Sequence, residues 1–169
     1  AQPGGTVLGI DFSAGMIEVA NERRPTELAG LEFQQGDALD LPVEDDAFDA
    51  ATIAYGMRNL ADYRGGFAEM ARAVRPGGKV VCFEIHTPTS VFGRLAAVWF
   101  DHVVPLIGKL VGQGDAYGYL ANSVKDYPSP ERIAEIMREA GLESVGWEGF
   151  MGGIVALHTG TVPAPKDDA

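Results

Sequence analysis

Two hydrophobic rhythms alternate along this chain. Short runs at 7–10, 31–35, 48–55 and 79–85 each predict a strand, and those at 7–10, 48–55 and 79–85 are apolar enough to lie buried in a sheet. Between them, apolar residues recur at helical spacing. Met16, Ile17 and Ala20 predict a helix over 13–24, with Ser13 as its N-cap. Phe67, Met70, Ala71 and Val74 share one face of a second helix over 63–75, which Pro76-Gly77-Gly78 should stop. Strand and helix follow each other at the spacing of parallel βαβ units, so the expected fold is α/β.

The second half departs from that rhythm. Residues 91–111 are long and apolar, with Phe92, Leu95, Trp99 and Val103 among them. Arg94, Asp101 and Lys109 interrupt the run and Pro105 should kink it, so it does not read as a membrane span. It is expected to cover a pocket, a partner subunit or a lipid surface. A loop over 112–126 carries Tyr117 and Tyr119. Ser129-Pro130-Glu131 opens a third helix with a cap followed by Pro at its first position. Ile133, Ile136, Met137 and Ala140 give its buried face, and Gly141 ends it. Strands at 142–150 and 154–159, joined by Met151-Gly152-Gly153, predict an antiparallel hairpin closing the sheet. The layout is one domain over 1–160, with 90–127 as an apolar insertion, and a frayed tail over 161–169.

Composition narrows the function classes. A net charge of −11 argues against a nucleic-acid partner, since phosphate binding runs on Lys and Arg clusters. Cys82 is the one cysteine, inside the apolar run 80–83, and reads as an inert buried thiol. Three scattered histidines lack metal-ligand spacing, so no metal is expected. No Gly-x-Ser-x-Gly elbow supplies a hydrolase nucleophile. No secretory signal opens the sequence, and the expected location is cytoplasmic.

The candidate chemistry stands at strand ends. Asp11 ends the first, Asp37-Ala38 follows the second, the segment from Ala54 to Asn59 follows the third, and Glu84-Ile85-His86 follows the fourth. In α/β sheets ligands bind at the carboxyl ends of strands. A carboxylate there can accept from both hydroxyls of a ribose, although an Asp after a strand is also an ordinary helix cap. A nicotinamide oxidoreductase is a competing reading, but Gly-x-Gly-x-x-Gly is absent.

Gly9-Ile10-Asp11-Phe12-Ser13, Gly36-Asp37-Ala38, Tyr55-Gly56-Met57-Arg58-Asn59, Arg75-Pro76-Gly77-Gly78 and Val155-Ala156-Leu157-His158 stand in the order seen in one family. With them goes Ala116 to Ser123. The chain resembles the ubiquinone/menaquinone biosynthesis C-methyltransferases of the demethylmenaquinone methyltransferase type. These are class I enzymes dependent on S-adenosylmethionine (SAM), with a Rossmann-like sheet and a C-terminal antiparallel hairpin. The resemblance implies that Asp11 holds the SAM ribose and that Asp37 accepts from the adenine amino group beside Ala38. Met16 would pack on the adenine or fill core, and Ala54 would lie beside the cofactor. Arg58 and Asn59 would face a polyprenyl quinol, with Arg58 stabilising a phenolate. His86, Trp99 and Tyr117 are further substrate candidates. The apolar segment would serve as a tail groove, a peripheral membrane contact, a dimer interface or a lid.

In that family a strand and a glycine-rich turn precede the segment that opens here. The strand lies between those ending at Asp11 and Tyr55. The expectation is therefore an N-terminally truncated domain whose central slot is filled by a second chain, a swapped segment or a rearranged sheet. A methyltransferase-like module that binds no SAM and acts by protein interaction is the alternative.

Overall fold

In the computed structural model, which describes residues 4–87, 124 and 126–164, the two rhythms become strands and helices close to their expected places. The order is β1 (Val7–Asp11), α1 (Ala14–Glu22), β2 (Leu31–Gln35), β3 (Phe48–Ala54), α2 (Tyr63–Ala73), β4 (Val74–Ile85), α3 (Pro130–Glu139), β5 (Glu143–Phe150) and β6 (Val155–Thr161). Short 3-10 turns cover Met57–Asn59 and Met151–Gly153. The apolar segment with Trp99, the loop with Tyr117 and the end of the tail lie outside the described residues.

Local signals set the helix starts. Ser13 accepts from the backbone N–H of Met16 at 3.3 Å, and Ser129 accepts from that of Arg132 at 3.3 Å ahead of Pro130. Asp62 caps α2 by accepting from Gly65 at 3.0 Å. β4 then alternates. Val80, Cys82, Glu84 and His86 are buried, while Val81, Phe83 and Ile85 are half-buried. The buried face meets Phe67 and Met70 of α2 and Ile133 and Met137 of α3, which with Met57 and Leu142 form the core. Burial leaves the Cys82 thiol inert, pushed up to about 12.

Three expectations need correction. The sheet is not continuous. β1 and β2 pair in parallel from Val7–Leu31 to Asp11–Gln35 and form their own two-stranded sheet. The second sheet runs β3-β4-β6-β5, with β3 parallel to β4 and the last two strands antiparallel as predicted. The division falls between β1 and β3, at the slot the resemblance marks. Among the described residues neither strand is paired along its second edge, and β3, read as central and buried, is half-buried or exposed throughout.

The second correction concerns Pro76-Gly77-Gly78. The helix stops earlier, at Ala73, and the turn is drawn into β4. Gly77 takes φ 79°, which favours glycine, and donates to the carbonyl of Val162 at 2.9 Å. Val162 donates back to Gly78 at 3.0 Å. A side chain at Gly78 would collide with Val74 and meet the Asp49 carbonyl at 2.6 Å. The same two hydrogen bonds give the third correction: the chain is docked through Val162, not frayed from 161.

Candidate active site

β1 and β2 end side by side. Asp11 lies opposite Gln35, and Gly36 donates its N–H to the Asp11 carbonyl at 3.1 Å. Asp37 follows directly, so parallel register brings both acidic residues to one end of one strand pair. Each carboxylate commits one oxygen to its own turn. Asp11 Oδ1 accepts from the N–H of Ser13 at 2.8 Å, and Asp37 Oδ1 accepts from that of Leu39 at 2.9 Å. The second oxygens have no hydrogen bond among the described residues, and both residues are exposed. Asp11 also edges an open depression lined by Gly9, Ile10, Met16, Ile17, Ala20 and Phe33. Met16 is 58% exposed there, so it does not fill core. An apolar wall with a free carboxylate oxygen at its rim fits a ribose and its base, and Asp37 offers a second acceptor outside that depression.

β3 ends in a tight turn held from below. Ala54 is exposed at the strand end, and Tyr55 takes φ 56°, a left-handed conformation costing a non-glycine residue about 1–3 kcal/mol. Arg58 holds it there: its Nη1 donates to the Tyr55 carbonyl at 2.6 Å. The same nitrogen donates to Glu84 Oε1 at 2.6 Å, and the Arg58 backbone N–H donates to Glu84 Oε2 at 3.3 Å. Glu84 is fully buried and the Arg58 side chain is 10% exposed. A buried carboxylate of this kind persists only when paired. Arg58 Nε is buried without a partner, and Nη2 makes no hydrogen bond among the described residues. Asn59 is exposed beside it, its backbone N–H on the Gly56 carbonyl at 3.0 Å.

The sequence reading missed the function of Glu84. It noted the residue at a strand end and gave it no role. The available signal was a lone carboxylate in an otherwise apolar strand run. His86, taken as a substrate candidate, is instead buried under the start of α3. It shares the inner face of β4 with Glu84, its Nδ1 bonded to the Pro128 carbonyl at 2.9 Å. Its ring centroid lies 5.0 Å from that of Tyr127 and 5.5 Å from that of His158. His158 is fully buried with Nε2 on the Pro130 carbonyl at 2.9 Å. Burial lowers the pKa of both rings, that of His158 to about 4, so both are neutral near pH 7.

Comparison with known proteins bears on this arrangement. Residues 1–162 match the ubiE/COQ5 methyltransferase family. The demethylmenaquinone methyltransferase of Corynebacterium kroppenstedtii is 39% identical over 165 residues, covering 96% of this chain and 69% of that protein. The enzyme of the same name from Staphylococcus aureus is 40% identical over 160 residues, covering 94% and 66%. The chain thus spans about two thirds of the length of these curated relatives. Among solved structures, a chain of the complex between the Haloferax volcanii Trm112 methyltransferase activator and its methyltransferase superposes with a TM-score of 0.70 at 20% identity, covering 95% of this chain and 73% of that one. A SAM-dependent methyltransferase of Thermotoga maritima gives 0.66 at 20% identity, covering 92% and 72%. At such identity these neighbours speak to the fold: it is that of class I SAM-dependent methyltransferases, despite the divided sheet.

Proposed function

The chain belongs to the ubiE/COQ5 methyltransferase family and is a SAM-dependent methyltransferase, and from that premise we propose that it methylates a ring carbon of a polyprenylated quinol. Demethylmenaquinol is the favoured acceptor, because both relatives described above carry that name. A ubiquinone-pathway benzoquinol is the other candidate. The observation that carries the reading is the set of strand ends: carboxylate oxygens at Asp11 and Asp37 with no hydrogen bond among the described residues, and a braced donor turn at Arg58-Asn59.

Bound SAM supplies an activated methyl group. The protein's own residues do the rest. Asp11 takes the ribose hydroxyls, and Asp37 and Ala38 take the adenine edge. Ala54 leaves room beside them. Arg58 offers its Nη2 donors to the oxygen of the quinolate. Glu84 neutralises the guanidinium, so Arg58 acts as an oriented hydrogen-bond donor and not as a free positive charge. A guanidinium only donates, so it does not collect the phenol proton. Asn59 orients the ring or a water that carries that proton away. Passing the methyl from sulfonium to the anionic ring carbon would cancel charge and leave a neutral thioether, so exclusion of bulk water favours it, and the ring hydrogen that the methyl replaces would leave as a proton by the same ordered-water path to restore the quinol.

The prenyl tail falls to the apolar segment over 91–111, outside the described residues. Among those described, no helix is long and apolar enough to cross a membrane. Liposome flotation with and without Trp99→Ser separates a bilayer contact from an internal groove. The function itself is tested by supplying methyl-labelled SAM with reduced demethylmenaquinone. Label in the extracted quinol is the expected result. Label absent from both naphthoquinol and benzoquinol acceptors, with SAM bound, overturns the quinol assignment.

A further inference from the structure

The connection over 36–46 carries Asp37 and Ala38, and it is also the stretch joining the two sheets. Its hold on the larger sheet runs through two side chains of α2. Arg72 Nη1 donates to the Val43 carbonyl and to Asp45 Oδ1, both at 2.8 Å, and Nη2 donates to the Leu41 carbonyl at 3.0 Å. Glu69 fixes the other side of the guanidinium, accepting from Nε at 3.0 Å and from Nη2 at 2.8 Å. All five N–H groups of the arginine therefore have an acceptor. Glu69 Oε2 also accepts from the Leu41 backbone at 3.0 Å. The N–H of Asp46, a residue at φ 58°, donates to the Arg72 carbonyl at 2.9 Å. The acidic run over 44–46 is in part the outer half of a clamp.

We propose that Arg72, oriented by Glu69, is a positioning residue for the nucleoside end of the SAM site. The clamp grips the loop from 41 to 46. The turn before it is stiff, since Asp40 donates to the Asp37 carbonyl at 3.1 Å and Leu39 to the Asp37 carboxylate. Displacement at Leu41 therefore passes back to the free oxygen of Asp37. The inference rests on the reading of Asp37 as the adenine acceptor. The Arg75–Asp49 pair is the natural control: it joins β4 to β3 within the larger sheet, is exposed at 58% and 85%, and touches none of the residues proposed for the cofactor.

The test uses the intact protein with R72A, R72K, E69Q and R75A, read by SAM calorimetry, steady-state kinetics and amide hydrogen exchange. R72A is expected to weaken SAM binding about tenfold or more, as loss of one charge-assisted hydrogen bond would. KM for SAM should rise while kcat at saturating SAM stays within about twofold, the pattern of a lost binding contact. The Leu41 and Asp46 amides should exchange faster while those of Val80 and Cys82 in β4 do not change. R72K should recover only part of the loss, because an ammonium cannot fill five planar positions. R75A should match the wild type. Unchanged SAM affinity in R72A, beside a wild type that binds, overturns the proposal, as does faster exchange spread evenly through the core. If R72A does not fold, E69Q decides by the same exchange pattern. If the wild type binds no SAM, the functional reading fails by itself, and unaltered exchange over 41–46 in R72A still overturns the clamp.

Discussion

At the scale of single residues, Glu84 holds the turn at Arg58-Asn59 together. It is buried, and its carboxylate reaches both the side chain and the backbone of Arg58. Glu84→Gln should cost about 3 kcal/mol or more, because it leaves a buried guanidinium uncompensated. Arg58→Met should cost a similar amount for the mirror reason, and the double variant should lose less than the sum. Urea unfolding of the four proteins measures this, and strict additivity would show that the two groups are not coupled. His158 gives a second prediction. Its folded pKa, about 4, lies below the ordinary histidine value, chiefly through burial, with positive charge on His86 lowering it further and the Pro130 carbonyl, the Cys82 backbone and Glu131 pulling the other way. The unfolded chain then binds the proton more readily than the folded one. Stability is whole above about pH 6.5, falls below that, and levels off near pH 4, by about 3 kcal/mol at most. His86 adds to the loss in the same direction. His158→Gln keeps an amide donor for Pro130 and should flatten the fall measured by urea midpoints; an unchanged slope would contradict the assignment.

Legibility in the sequence follows distance along the chain. Asp11, Asp37 and the 54–59 segment were readable because each is placed by a local signal, the end of a strand. Arg72 and Glu84 were not, because their partners lie far off: Glu84 is 26 residues from Arg58, and Val43 is 29 from Arg72. Nothing in the spacing of single residues announces such a pair.

At the scale of elements, the same division holds. α3 was legible to the residue at its start, since Ser129 and Pro130 act within one turn. The end of α2 was not, because what straightens Val74 to Gly78 is pairing with β3 and with Val162, both remote in sequence. Phe67 is fully buried between α2 and the sheet, and Phe67→Ala should cost about 3–5 kcal/mol by urea unfolding. A cost below about 1 kcal/mol would mean that α2 is not anchored by that ring.

At the scale of the molecule, two sheets keep the class I methyltransferase arrangement while the ladder between them is open. β1 and β3 each present an unpaired edge among the described residues, the kind of edge that proteins ordinarily cover. Periodicity located the strands and the turn at 151–153 gave the β5-β6 hairpin, but neither gave the break between β1 and β3, since pairing between remote strands is a long-range property of a buried sheet. The proposed cofactor site would draw on both parts: Asp11 and Asp37 stand at the end of the smaller sheet, Ala54 and Arg58 at the end of β3 in the larger.

The central claim is that the two carboxylates grip one nucleoside, and SAM calorimetry with adenosine as competitor tests it most directly. Asp11→Asn and Asp37→Asn keep the acceptor oxygens that cap Ser13 and Leu39, so the local turns should survive. The account predicts that the wild type binds SAM, that adenosine displaces it, and that each substitution weakens binding about tenfold. Binding that neither substitution alters, or that adenosine does not compete for, would contradict it.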